Sequence, residues 1–304
     1  IDPYHCILYC ELIISFCSFN QSLNLMSTNE TLQNTYPYDA KKIFRTKGTC
    51  SHTFFYLLNR HFGHLKETEE RASDALAGGL MSKGYECGML WGASLAIGAE
   101  AYRRCNHLSQ ACTVSIQATK LVMLSFIERE NTSQCREITR CDFSSKLSFA
   151  KYMLSGRFLH CYELAELWAP EAISKAMKGL ADKPHDFKRS MSCSTEVAKK
   201  MGATEEQMVM VAGFAGGLGL SGGACGALAA AIWMNAYRWC LEHGKGNVTH
   251  DPKVKELIDS FVSDNGEKIL CSEIAGQRFH SVQEHTSYLK NGGCKKLIDR
   301  LGRS

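Results

Sequence analysis

The feature that most constrains this chain is an internal repeat with its cysteines in register. Ala77-Gly78-Gly79-Leu80, then Gly84, then Cys87-Gly88 returns as Ala215-Gly216-Gly217-Leu218, Gly222 and Cys225-Gly226 with the same internal spacing. Upstream, Phe44-Arg45 before Cys50-Ser51 is matched by Phe187-Lys188 before Cys193-Ser194. Downstream, Ala101-Tyr102-Arg103-Arg104-Cys105 is matched by Ala236-Tyr237-Arg238-Trp239-Cys240. Cys135-Arg136-Glu137-Ile138 is matched by Cys271-Ser272-Glu273-Ile274, with Phe143 and Phe279 each eight residues after the cysteine. Self-similarity of this kind means that one structural unit is used twice. The chain therefore divides into an N-terminal extension (1–37), a first cysteine module (38–182) and a second (183–304). The join, Ala181-Asp182-Lys183-Pro184-His185, is polar and carries a proline, where a helix stops.

The local pattern is helical nearly throughout. Thr68 to Leu80, Gly88 to Cys105, Ser109 to Glu130, Cys161 to Met177, Thr204 to Phe214, Cys225 to Leu241 and Pro252 to Val262 show helical periodicity or helix-forming composition. Thr195-Glu196 and Thr204-Glu205-Glu206 read as helix openings, and Gly292-Gly293 punctuates the approach to a basic terminal helix. The expected fold is all-α, with two tandem, pseudo-repeated helical bundles packed against each other.

Met208 to Tyr237 holds no charged residue over 30 positions, longer than the run of about 20 that a membrane span needs. The equivalent stretch of the first copy carries Lys83, Glu86 and Glu100, and the second is broken by five glycines from Gly216 to Gly223. A glycine turn followed by a buried helix is expected, and no membrane span. The apolar segment Cys6 to Phe19 contains Glu11 and lacks a basic flank and a small-residue cleavage site, so it is read as packing on the body or on a partner subunit rather than as a secretory signal, with Met26 an alternative start. The formal net charge of +4 is too small and dispersed to imply a nucleic-acid surface.

Cysteine is the compositional outlier, at 15 of 304 residues. Disulfide scaffolds are usually short, loop-rich secreted chains that lack a core; this chain is long and helix-patterned, and an odd count leaves one thiol unpaired. Reduced cysteines in a cytoplasmic setting fit better. Four positions are kept in both copies: Cys50, Cys87, Cys135 and Cys161 in the first, Cys193, Cys225, Cys271 and Cys294 in the second. Cys105 and Cys240 form a fifth pair, for which core packing and function are equally good readings. Cys6, Cys10, Cys17, Cys112 and Cys141 have no counterpart and are read as buried small apolar residues. His160, His280 and His285 do not align between copies and are read as ordinary hydrogen-bonding residues.

This pattern resembles the redox-active family named for its spaced C, GC, C, C cysteine signature. The likeness is strongest from Gly216-Gly217-Leu218-Gly219 through Cys225-Gly226-Ala227-Leu228 and extends over both halves, as a fused pair of family domains would. The first copy departs with Met89-Leu90-Trp91 after Cys87-Gly88, and the second has Ala230 where the first keeps Gly92. The resemblance reaches a domain of split-Soret cytochromes that accompanies an iron–sulfur centre and haems. No C-x-x-C-H occurs here, so covalent haem is not expected.

Four thiolates per module match an iron–sulfur cluster, [2Fe-2S] or [4Fe-4S], and equally a structural zinc. The tight C-x-x-C pairs of zinc ribbons are absent, so ligands would converge from separate helices. Gly84 and Gly88, with Gly222 and Gly226, are candidate cofactor-binding positions, because glycines allow close backbone approach and exposed amides at a helix start stabilise a thiolate. They form no phosphate loop, since no Lys-Ser/Thr follows them. No catalytic triad, carboxylate pair or nucleotide motif stands out. The expected function is electron transfer through one cluster per module to a redox partner protein, with a second copy of the chain an allowed partner. The alternatives are a metal-free thiol–disulfide protein and a zinc-stabilised interaction module.

Overall fold

The computed structural model describes residues 38–182, 190–244, 248 and 251–304. The extension with Cys6, Cys10 and Cys17, and the Phe187-Lys188 match, lie outside the described residues. Among those described there are fifteen α-helices and no strand beyond two isolated antiparallel bridges. The first copy comprises α1 (Ala40–Lys47), α2 (Cys50–Phe62), α3 (Glu67–Ala72) leading into a 3-10 turn (Ser73–Leu76), α4 (Gly88–Arg104), α5 (Leu108–Glu130), α6 (Cys135–Thr139), α7 (Lys146–Leu154) and α8 (Phe158–Ala181). The second comprises α9 (Cys193–Lys200), α10 (Glu205–Met210) with a 3-10 turn (Ala212–Phe214), α11 (Gly226–His243), α12 (Pro252–Asp264), α13 (Cys271–Ala275), α14 (Val282–Lys290) and α15 (Lys295–Leu301).

Local chemistry sets the helix starts. Thr49 caps α2 by accepting from the His52 amide, and Ser192 caps α9 by accepting from Thr195. Thr204 and Gln207 form a reciprocal capping box on α10, and Asp251 with Pro252 opens α12. The second helix of the repeat therefore starts at Cys193, two residues before the Thr195-Glu196 opening read from sequence.

The expected helix from Thr68 to Leu80 is corrected. Its α-helical part ends at Ala72 and its 3-10 turn at Leu76, after which five consecutive residues take left-handed conformations: Gly78, Gly79, Leu80, Met81 and Ser82, with φ of 65°, 73°, 56°, 48° and 62°. The second copy repeats this at Gly216, Gly217, Leu218, Gly219 and Leu220, with φ of 62°, 82°, 65°, 62° and 64°. The glycines start each reversal because they alone reach this region without steric cost. The non-glycine members cost roughly 1–2 kcal/mol each, and burial of Leu80, Leu218 and Leu220, at roughly 1.5–3 kcal/mol for a leucine, offsets that. At Gly79 and Gly217 the chain folds onto itself so tightly that a Cβ would lie 2.3 Å from the Tyr85 nitrogen and 2.5 Å from the Gly223 nitrogen. The turn thus reverses the chain and delivers it to Cys87 or Cys225.

The two copies share one continuous apolar core running from Ala40 to Leu301. Helix α4, buried along nearly its whole length, packs against α2 and α5 of its own copy and α10 of the other. Gly98 permits the last contact: a Cβ there would stand 2.4 Å from the Met210 Cα. Trp91 meets Phe214 edge to face at 4.9 Å, and the Trp233 indole donates to the Glu69 carbonyl at 3.3 Å, so contacts between copies run in both directions. The uncharged stretch from Met208 to Tyr237 forms the end of α10, the left-handed turn and most of α11. One described helix, α5, is long and apolar enough to cross a membrane, and 67% of its most apolar window is buried in the protein.

Candidate functional site

All eight matched cysteines sit at helix starts. Cys50, Cys193, Cys135 and Cys271 are the first residues of α2, α9, α6 and α13; Cys87, Cys225 and Cys294 cap α4, α11 and α15; Cys161 lies in the first turn of α8. A helix start offers unpaired amides and the positive end of the dipole, the environment that favours a thiolate. The Cys50 sulfur accepts from the amides of Gly78 and Ser51 and from its own; Cys193 accepts from the equivalent Gly216 and Ser194. Cys87 receives the Met89 amide, and Cys225 those of Leu228 and Ala227.

A backbone clip holds the second and third cysteines of each copy side by side. The Cys87 amide donates to the Ser133 carbonyl at 2.7 Å and the Cys135 amide to the Tyr85 carbonyl at 2.6 Å, forming the Glu86–Gln134 bridge. In the second copy Cys225 donates to Ile269 at 2.8 Å and Cys271 to Gly223 at 2.6 Å, forming the Ala224–Leu270 bridge. The fourth cysteine is reached by a tyrosine: Tyr152 Oη lies 3.7 Å from Cys161 Sγ, and Tyr288 Oη lies 3.8 Å from Cys294 Sγ.

The electrostatics gather each set of four. Cys50 and Cys87 share a thiol–thiol hydrogen bond that holds Cys50 below the ordinary cysteine range and pushes Cys87 well above it. Burial raises Cys135, with the charges of Cys50, Cys161 and Cys141 adding to it, and burial pushes Cys161 to about 12. In the second copy burial pushes Cys193 to about 12 and Cys225 to about 11, and raises Cys271 and Cys294; Cys193, Cys225 and Cys294 all add to the rise at Cys271. Thiols that repel one another's charge in a largely water-excluded cluster favour the neutral form, which a cation sharing the site would reverse. Among the described residues no group of three or more His, Cys, Asp or Glu side chains forms a ready metal-ion site, and the twelve described cysteines are free thiols.

The named glycines serve the backbone. Gly84 and Gly222 donate their amides to Gly78 and Gly216, each at 2.9 Å, and so close the left-handed turns. Gly88 makes room for the Cys50 sulfur, since a Cβ there would stand 2.5 Å from it; one at Gly226 would stand 1.8 Å from the Phe214 carbonyl oxygen. The glycine amides that reach cysteine sulfur are those of Gly78 and Gly216, which the sequence did not mark as cofactor-binding positions. Nor did it single out Tyr152 and Tyr288, although both stand at the same offset from Cys135 and Cys271. Cys141, fully buried, raises Cys135 and receives the Ser148 hydroxyl at 3.8 Å, so the first site has a fifth thiol where the second has Gln277. Cys105 and Cys240 lie at the far ends of α4 and α11, about 25 Å along the helix axis from Cys87 and Cys225. His160 pairs with Glu130 at 3.0 Å on the surface, and buried His285 packs on Phe279.

These features define a duplicated, all-helical protein in which each copy carries four electrostatically linked cysteines at helix starts. The family described as "Putative redox-active protein (C_GCAxxG_C_C)" matches residues 49–170 and again 188–303, and the chain belongs to that family as a tandem pair. No curated protein and no solved structure matches the chain.

Proposed function

We propose that the protein transfers electrons and that each copy holds an iron–sulfur cluster on Cys50, Cys87, Cys135 and Cys161, or on Cys193, Cys225, Cys271 and Cys294. The observation that carries this is the twofold placement of four electrostatically linked, buried or half-buried thiols at helix starts, with amide and tyrosine donors aimed at the sulfurs. The donor set fits such a group: it is all sulfur, and the irons supply the positive charge that four crowded thiolates require. A structural zinc takes the same four-thiolate set, and metal analysis separates the two occupants. A bound cluster supplies reversible one-electron chemistry. The chain contributes deprotonated sulfurs, hydrogen bonds that set the potential, and a water-poor surround. A redox partner protein and a reducing compartment such as the cytoplasm suit this reading.

Protein purified without air is expected to contain iron and acid-labile sulfide and to show a broad visible charge-transfer band. A colourless, folded protein free of both would contradict the reading.

One observation favours a second reading for the first site. The Cys50 sulfur packs against Gly88, beside Cys87, and the hydrogen bonds it takes from the Cys87 thiol and the Gly78 and Ser51 amides favour its thiolate, as in a nucleophile with its partner. The Cys50 thiolate would attack a substrate disulfide and release one thiol. Cys87 would then displace the second thiol, leaving a Cys50–Cys87 disulfide. The chain would lose two hydrogens in mass, and a dithiol would restore them. Absence of that mass change on anaerobic treatment with a disulfide would remove this reading.

A further inference from the structure

We propose that Glu86 is a positioning residue that couples the two four-thiol sites, so that a change in one site alters the reactivity of the other. Glu86 directly precedes Cys87 and is 1% exposed. One carboxylate oxygen accepts from the Gln134 side-chain amide at 2.8 Å, and Gln134 directly precedes Cys135. The other accepts from the backbone amide of Ala224 at 3.0 Å, and Ala224 directly precedes Cys225 in the other copy. Gly223 lies flat against the same carboxylate, where a Cβ would come within 1.9 Å of Oε1, and the Gly223 carbonyl holds the Cys271 amide at 2.6 Å. One side chain therefore touches the segments that carry the second and third cysteines of both sites.

The repeat makes this junction unusual. Glu86 and Ala224 are equivalent positions in the two copies, so the contact joins a residue to its own counterpart. A carboxylate on both sides would place two buried negative charges against each other. Alanine in the second copy leaves space and a free amide for the one that is present. Both donors point at oxygen, so an amide in place of the carboxylate turns an NH2 toward one of them and breaks that link. The inference rests on the two-site reading of the cysteines and not on what the sites bind.

The test is a cycle on the full-length, reduced, metal-free chain. Cys294, the most exposed of the second-site thiols, is alkylated with a maleimide under native conditions, and its rate is read by peptide mass spectrometry. Cys50→Ser, which disturbs only the first site directly, is expected to change the Cys294 rate by about fivefold with Glu86 present, and by less than about twofold beside Glu86→Gln or Glu86→Ala. An unchanged rate in the Glu86 background, or an equal change in both backgrounds, overturns the proposal. Should the Glu86 variants fail to fold, hydrogen exchange at the Ala224 amide decides: protection falls in Cys50→Ser if the sites are coupled and is unchanged if they are not. Neither readout involves iron, so failure of the cluster reading and failure of this one are distinguished.

Discussion

A thiol at a helix start meets two opposed effects: amides and dipole favour the thiolate, and burial favours the neutral form. In this chain burial prevails at six of the eight matched cysteines, the hydrogen bond to Cys50 does most to raise Cys87, and only Cys50, with three amides and the Cys87 thiol donating to it, is held low. The tyrosines act at the same scale. On the cluster reading proposed above, a hydrogen bond to a ligand sulfur would stabilise the reduced, more negative state, so Tyr152→Phe and Tyr288→Phe are each expected to lower the reduction potential of their own site, which a spectroscopic redox titration reads. His285 gives a pH prediction independent of any metal. Burial holds it down at about 4, and its Nδ1 has no partner. Below the unfolded value of about 6.5 the unfolded chain takes up a proton that the folded chain refuses, so stability is full above that pH and is lost as pH falls toward 4, by roughly 2–3 kcal/mol. Urea denaturation of wild type and His285→Phe from pH 7 to pH 4.5 checks it: the loss is expected to shrink in the variant. The matched cysteines were legible because repetition marks them, and Tyr152 and Tyr288 carried the same mark at a constant offset. Glu86 carried none, since its partner is its own non-identical counterpart.

At the scale of elements, the left-handed turn is the part of the repeat that brings the glycines and the cysteines together. Its strain falls unevenly. Leu80 is buried, whereas Ser82 is exposed in a left-handed conformation with no burial to compensate. Ser82→Gly is therefore expected to stabilise the protein by about 1 kcal/mol, measured by urea denaturation. Gly79→Ala and Gly217→Ala should each cost roughly 3 kcal/mol or more, because the added Cβ meets backbone that has no room to give; Gly63→Ala, at φ 83° but in open space, should cost only about 1 kcal/mol. The long helices were legible from periodicity: α4, α5, α11 and α12 begin and end within a few residues of expectation. The five-residue helices α6 and α13 are too short to show a period, and a left-handed run containing Leu80, Met81 and Ser82 contradicts the local preference of those residues.

For the whole molecule, two copies in the sequence are one body in space. Trp91 on Phe214, Gly98 against Met210 and Glu86 on Ala224 place the seam between copies inside the core and next to the thiol sites. A chain cut between Asp182 and Lys183 is expected to give halves that lack cooperative thermal unfolding by circular dichroism when separate and regain it when mixed. All-helical architecture and duplication were legible because helical periodicity and repeated motifs are written along the chain. The shared core was not, because an apolar helix face looks the same whether it packs on its own copy or on the other. The central claim is that each copy carries one complete four-cysteine site. Iron and acid-labile sulfide per chain, measured on anaerobically purified wild type, Cys135→Ser and Cys271→Ser, test it most directly. Each variant is expected to keep about half of the wild-type content, since clusters bind through their full set of thiolates. Loss of everything in one variant with nothing lost in the other, or no iron and sulfide in the wild type, would contradict it.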